Sequence, residues 1–360
     1  MTNSSSFPRL QGQSQDSTGA FGLAEAITNT VLIIFYFLII FLGTTGNAVV
    51  IWTAGFRLPA TVTGVWLVNL AVADLVFSLS RVLSLTQRLF FDHWPFGTPL
   101  CKLNGFLKYT NMFCSVFLLS VISLDRALCV WRPLLAKQRR TQGAARLVSV
   151  GVWLLSVALS APFSAQREAY AGRNNLTRCS MRAKDTKDGG GARYTLYTLR
   201  FLCGFLLPFL VILGCYGLAA VGLQRSRFRH RSKPLRILAC LVSAFFLCWA
   251  PYHCLLLVKM VNSSSQAVKV WLPLATGLAY LNSCMNPLLY FCMGLSRRGL
   301  GRGLFVTFRR VLVEEGEAPT DTTRWQRCAE GLGAMTQATA ATADSDVQMA
   351  MFRNHGETQT

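Results

Sequence analysis

Asp74 in NLAVADL, Arg81 in LSRVL, Lys108 in FLKYT, Arg126 in SLDRA and Arg200 in TLRFL are ionisable residues set inside otherwise apolar stretches. A charge at membrane depth costs roughly 2.5–3.5 kcal/mol on insertion scales, so such residues face a bundle interior and carry function. The chemistry on offer is charge recognition rather than bond-making. No metal-ligand cluster or nucleophile–base spacing appears among the 4 His, and an enzyme is not expected. A buried carboxylate such as Asp74 needs a cation, a proton or several hydrogen bonds. Two readings stand side by side. One is a small-cation site, sodium held by Asp74 with oxygens of Asn111, Ser115 and Asn282; the other is a purely structural hydrogen-bond network. Asn47, Ser283 and Asn286 lie at similar depth.

Toward the opposite end the charges turn positive. Arg81 and Arg88 follow Asp74 at seven-residue intervals, which at about 100° per residue keeps them within roughly 40° of its face, ~10 Å apart in rise. Lys108 stands seven residues before Ser115, and Arg200 eight before Pro208. No acid is evident at that depth to neutralise them. Arg88, Lys259 and Lys269 are expected to snorkel to the surface. Arg81, Lys108 and Arg200 are expected to face inward and bind an anion. Trp94, Phe96, Tyr109, Tyr252, His253 and Tyr280 would add the aromatic wall. A pocket of apolar walls and convergent cations suits a ligand with a carboxylate.

These side chains need a scaffold, and composition names it. The chain of 360 residues is 52% hydrophobic and 14% charged, against about 25% charged for ordinary soluble domains. Apolar segments of spanning length fall near 27–54, 62–88, 99–131, 143–163, 194–224, 233–260 and 267–292. The expected fold is an all-α membrane protein, a seven-transmembrane helix bundle. The expected divisions are an extracellular N-terminus (1–26), the seven-transmembrane domain (27–292), a short amphipathic eighth helix (293–309) on anionic lipid, and a disordered cytoplasmic tail (310–360). Residues 1–26 show no cleavable signal. The formal charge of +20 sits mostly between apolar runs, where it orients the chain rather than binding nucleic acid. Sequons at Asn3, Asn175 and Asn262 agree with the positive-inside bias: all three fall outside, as N-glycosylation sites must. Of 12 cysteines only Cys101 and Cys179 fall on that outer side. They read as a disulfide, the alternative being two free thiols. A transporter or channel would show internal repeats or a polar pore, and neither is found. Pro162, Pro208, Pro251 and Pro287 permit kinks in four spans.

GNAVV (46–50), LAVAD (70–74), Cys101, LDR (124–126), Trp153, Pro208 with Tyr216, CWAP (248–251) and NPLLY (286–290) occur in the right spans and order. Together they resemble the rhodopsin-like family of G-protein-coupled receptors, across nearly all of 27–309. TVTGVWLVNLAVADL, WPFGTPLCKL and FFLCWAPYH look like its chemoattractant branch, which holds formyl-peptide, complement anaphylatoxin, chemerin-like and type-two prostaglandin D receptors. The resemblance implies a plasma-membrane receptor acting in chemotaxis and inflammation, coupled to Gi-type G proteins. Its agonist would be an anionic peptide carboxy-terminus or prostanoid-like lipid. It implies an activation switch of Asp125, Arg126, Tyr216, Trp249, Pro251, Asn286, Pro287 and Tyr290, sodium at Asp74 as an allosteric ion, and a Cys101–Cys179 disulfide. Arg200 matches a basic position that several of these receptors use for a ligand carboxylate. Thr320, Thr322, Thr323 and Ser345 are candidate phosphorylation sites for arrestin binding. Three positions depart from the pattern: Ala127 replaces the usual Tyr or Cys, Thr276 stands where some peptide receptors carry an acid, and Arg231 is not the acid that locks Arg126 in some relatives. Ala127 keeps open an alternative, a non-signalling scavenger receptor of the same fold.

Overall fold

The computed structural model describes residues 12–91, 93–172, 176–181, 189–225, 232–262 and 265–295. Asn3, Asn175, the inner loop 226–231, nearly all of the expected amphipathic helix and the whole tail lie outside the described residues.

Seven long helical spans follow one another. The first runs Gly12–Leu38, passes through a π turn at Ile39–Gly43, continues as Thr44–Trp52 and closes on a second π turn, Thr53–Arg57. The second is Val62–Phe90, the third Gly97–Trp131 and the fourth Gln142–Ala165. The fifth comprises Gly189–Phe201, a π turn Leu202–Leu206 and Leu207–Arg225. The sixth is Ser232–Val261 and the seventh Gln266–Leu295. Among the described residues six helices are long and apolar enough to cross a membrane. The seventh matches them in length and carries the polar Asn282, Ser283 and Asn286 on buried positions.

Local signals set the boundaries. Thr61 caps the second span by accepting from the Gly64 amide at 2.9 Å, and Thr141 caps the fourth by accepting from Ala144 at 3.1 Å. Pro133 opens the short inner helix Pro133–Arg139 between the third and fourth spans, where its missing N–H costs nothing. The first helix begins at Gly12, well before residue 27. No proline interrupts it, and Ala, Leu and Glu favour helix outward of the apolar run. Pro162, Pro251 and Pro287 lie inside helices, as does Pro273, and Pro208 follows a π turn, a common site of helix bending.

The third span is the axis. Its 35 residues reach about 50 Å at 1.5 Å per residue. Met112, Phe113, Cys114, Val116 and Leu118 on it are wholly buried, packing toward the second, fourth and fifth spans. Phe41, Leu154 and Leu210 stay exposed on outer faces, which is where a bilayer replaces water. The first span approaches so closely that a β-carbon on Gly43 would overlap Ser78, and one on Gly46 would sit 2.7 Å from Pro287 Cβ. Small residues serve such helix contacts in lipid.

The outer loop after the fourth span departs from an all-helical reading. Arg167–Ala171 (β1) and Thr177–Met181 (β2) pair antiparallel, with Ala169 opposite Cys179. Cys179 is bonded to Cys101 at the head of the third span, with Cα atoms 5.6 Å apart. The Trp94 amide donates to Thr177 O at 2.7 Å and the Trp94 indole to Gly97 O at 2.8 Å. Trp94 is therefore tied to this hairpin, with the Phe96 ring 5.1 Å from its own. Gly97, at φ 70°, takes a backbone conformation that other residues rarely adopt.

Candidate ligand pocket and the polar cluster beneath it

Arg200 lies one residue before the end of its helix, just ahead of the π turn, and is 2% exposed. Its Nη1 donates to the hydroxyls of Tyr109 (3.0 Å) and Tyr252 (2.5 Å). Its Nε and Nη2 find no acceptor among the described residues. A guanidinium with open donors is a fork shaped for a carboxylate. Lys108 Nζ lies 5.4, 5.2 and 5.1 Å from the ring centroids of Tyr109, Tyr252 and Tyr280. Cation–π contact of this kind contributes about 2 kcal/mol when desolvated, less than a full counter-ion would. His253 is buried against Phe205 and Tyr252, ring centroids 4.9 and 5.4 Å away, and both its nitrogens lack partners among the described residues.

Arg81 is also buried. Its guanidinium stacks 4.4 Å from Phe77 and 5.1 Å from Tyr280, and Nη2 donates to Asn104 Oδ1 at 2.5 Å and Ser80 Oγ at 3.0 Å. Arg88, in the last turn of the second span, is half-buried and donates to Asn29 Oδ1 at 2.6 Å. Among the described residues Arg81, Lys108 and Arg200 pair with no carboxylate.

Three pocket residues escape sequence reasoning. Arg167 extends from β1 onto Gly105, where a β-carbon would overlap its side chain. Phe163 packs its ring 4.4 Å from Tyr109. Asn104 holds Arg81. Asn104 was findable from its place one turn before Lys108. Arg167 was not, because hairpin pairing brings it in.

Below the pocket, Asp74 is wholly buried. Its Oδ1 accepts from Asn111 Nδ2 at 2.8 Å and Ser115 Oγ at 3.4 Å, and its Oδ2 accepts from Asn286 Nδ2 at 2.8 Å. Ser283 Oγ donates to Asn111 Oδ1 at 3.2 Å, and Asn47 Nδ2 donates to Ser283 O at 2.9 Å. The seventh span thus supplies Ser283 and Asn286. Asn282, expected here, is buried without a hydrogen bond to Asp74, since each helical step turns the side chain about 100° away. The groups on Asp74 are amide N–H and hydroxyl donors, so its carboxylate is satisfied as a hydrogen-bond network. The Asp74 carboxylate, Asn111 Oδ1 and the hydroxyls of Ser115 and Ser283 are hard oxygens of the kind that suit sodium rather than a transition metal. Trp249, on the sixth span, has its indole N–H unpartnered among the described residues and its ring 5.7 Å from Tyr252.

At the inner end Arg126 Nη2 donates to Asp125 Oδ2 at 3.0 Å and to Thr63 Oγ1. Arg140 donates from Nε to Asp125 Oδ1 and from Nη2 to Thr63 Oγ1, both at 2.9 Å. Neither Arg140 nor Thr63 stood out in the sequence as a partner of Asp125 or Arg126. Tyr216, expected to join Arg126, has a buried hydroxyl with no partner among the described residues. The Tyr290 side chain lies outside them. Asn262 is exposed just past the outer end of the sixth span.

Residues 46–290 match the 7 transmembrane receptor (rhodopsin family). Chemerin-like receptor 1 of Rattus norvegicus is 37% identical over 309 residues, covering 81% of this chain and 83% of the relative. The C3a anaphylatoxin chemotactic receptor of Danio rerio is 38% identical over 325 residues, 89% of this chain and 88% of the relative. The fMet-Leu-Phe receptor of Homo sapiens is 31% identical over 336 residues, 89% and 95%. With these matches and the motifs in their spans, the chain belongs to the rhodopsin family of seven-transmembrane receptors, multi-pass plasma-membrane proteins that are not enzymes.

Proposed function

We propose that this receptor is of chemoattractant type, binds an anionic ligand through Arg200 and Lys108, and activates inhibitory Gi-type G proteins. The observation that carries the reading is Arg200: fully buried, fixed by two phenols, and left with Nε and Nη2 lacking an acceptor among the described residues. A ligand carboxylate would supply that acceptor and neutralise Lys108 beside it. The relatives support the class, since their names include a chemotactic receptor and a receptor for a formylated peptide.

Asp74 with Asn111, Ser115, Ser283 and Asn286 would hold sodium, and the ion would tie the second, third and seventh spans together. Arg126, held by Asp125 and Thr63, would be released to the G protein when the inner ends move. Arrestin would follow phosphorylation of the tail. Ala127, beside Arg126, supports a second reading, a scavenger that internalises ligand without signalling.

A screen of chemoattractant peptides and prostaglandins, read as inhibition of cAMP formation, separates the two. A pertussis-toxin-sensitive response is expected. Internalisation of a bound ligand with no G-protein activation would favour the scavenger.

A further inference from the structure

Arg200, Lys108 and Arg81 form a row, each neighbouring pair sharing tyrosine rings. Tyr109 and Tyr252 lie 5.1–5.4 Å from both Arg200 and Lys108. Tyr280 lies 5.1 Å from both Lys108 and Arg81. Arg81 shares no ring with Arg200: its other ring is Phe77, whereas Arg200 meets Tyr197 and Phe163. The two arginines reach the row from the second and fifth spans, which both pack on the third. A carboxylate seated on Arg200 can also touch Lys108. Arg81, which shares Tyr280 with Lys108 and no ring with Arg200, stands at the other end of the row.

Resting on the anionic-pocket reading, we infer that the ligand presents two acidic groups, the first on Arg200 and Lys108 and the second on Arg81. Three buried cations in one row repel one another, and one anion leaves the far end uncompensated. Arg81 is built as a seat. Asn104 and Ser80 hold Nε and Nη2, and Phe77 and Tyr280 fix the plane of the guanidinium. These partners are neutral, so they orient the charge without cancelling it. Glu168, the nearest acid in sequence on the hairpin, follows Arg167 on β1, and strand alternation turns it to the opposite face from the residue that lies on Gly105. The shared chemistry is a pair of carboxylates on one slim frame, found in a dicarboxylic lipid or in a peptide ending on an acidic residue.

The test uses full-length receptor in lipid nanodiscs and measures dissociation constants for straight-chain dicarboxylic acids, each against its own monomethyl ester. A second arm uses short peptides ending in glutamic acid against counterparts ending in glutamine. The arm that binds names the source. The two-acid probe should bind about tenfold more tightly than its one-acid partner, the effect of one charge-assisted hydrogen bond. Arg81→Gln should weaken the two-acid probe far more than the one-acid probe and so erase the difference between them, and Arg81→Lys should keep most of it. Equal binding of paired probes by the wild type, an Arg81→Gln loss shared equally by both members, or no binding in either arm overturns the two-acid inference. Arg200→Gln separates it from the reading beneath it: both members should weaken. A one-acid probe that binds wild type and Arg200→Gln alike sinks the anionic pocket itself.

Discussion

Arg200 commits one amino group to two phenols and keeps the rest of its guanidinium open. Arg200→Ala should therefore weaken agonist potency about tenfold or more with surface expression intact, on the order of the 1.5–3 kcal/mol of a charged hydrogen bond. An unchanged dose–response curve would rule out the carboxylate seat. At this scale the sequence was informative where one residue type is costly in one setting. Arg81, Lys108, Arg200 and Asp74 stand out because lipid does not tolerate isolated charge. It was less informative about partners. Asn282, Ser283 and Asn286 are all polar and close in sequence, and which of them faces Asp74 depends on rotation about the helix axis. A boundary uncertain by ~2–4 residues does not determine that rotation.

Spans were legible as elements because twenty apolar residues in a row have few other homes. The hairpin Arg167–Ala171 with Thr177–Met181 was not, since its strands are short and only half-buried, and its position depends on the bond to Cys101. Arg167 thereby comes to lie on Gly105 of the third span with no helical periodicity to announce it. The link between the third and fourth spans behaves similarly. Helix Pro133–Arg139 ends at Arg140, whose guanidinium bonds both Asp125 and Thr63 and so ties that link to the inner ends of the second and third spans. These contacts belong to the arrangement in which Arg126 is held. Arg140→Ala removes a partly exposed ion pair of about 1 kcal/mol and should raise ligand-independent Gi activity severalfold at matched expression. Basal activity equal to wild type would show that Arg140 does not restrain the inner end.

Across the molecule, the Asp74 cluster joins four spans: Asn47 from the first, Asp74 from the second, Asn111 and Ser115 from the third, Ser283 and Asn286 from the seventh. A sodium ion bound there would favour this packing over one in which the seventh span has shifted. By linkage, whatever state excludes the ion binds its own ligand more weakly as sodium rises. Raising sodium at constant ionic strength should lower agonist affinity severalfold in the wild type and have no effect in Asp74→Asn. Sodium sensitivity that survives Asp74→Asn would place the ion elsewhere. Fold and family were legible at this scale from motif order alone. Ligand chemistry was not, because it depends on side chains from six spans and a hairpin meeting in one place. The most direct measurement of the central claim compares an agonist identified in the cAMP screen with the same molecule carrying its carboxylate masked as an amide. Masking should lower Gi-activation potency at the wild-type receptor about tenfold or more, and equal potency of the two forms would contradict recognition of an anionic ligand.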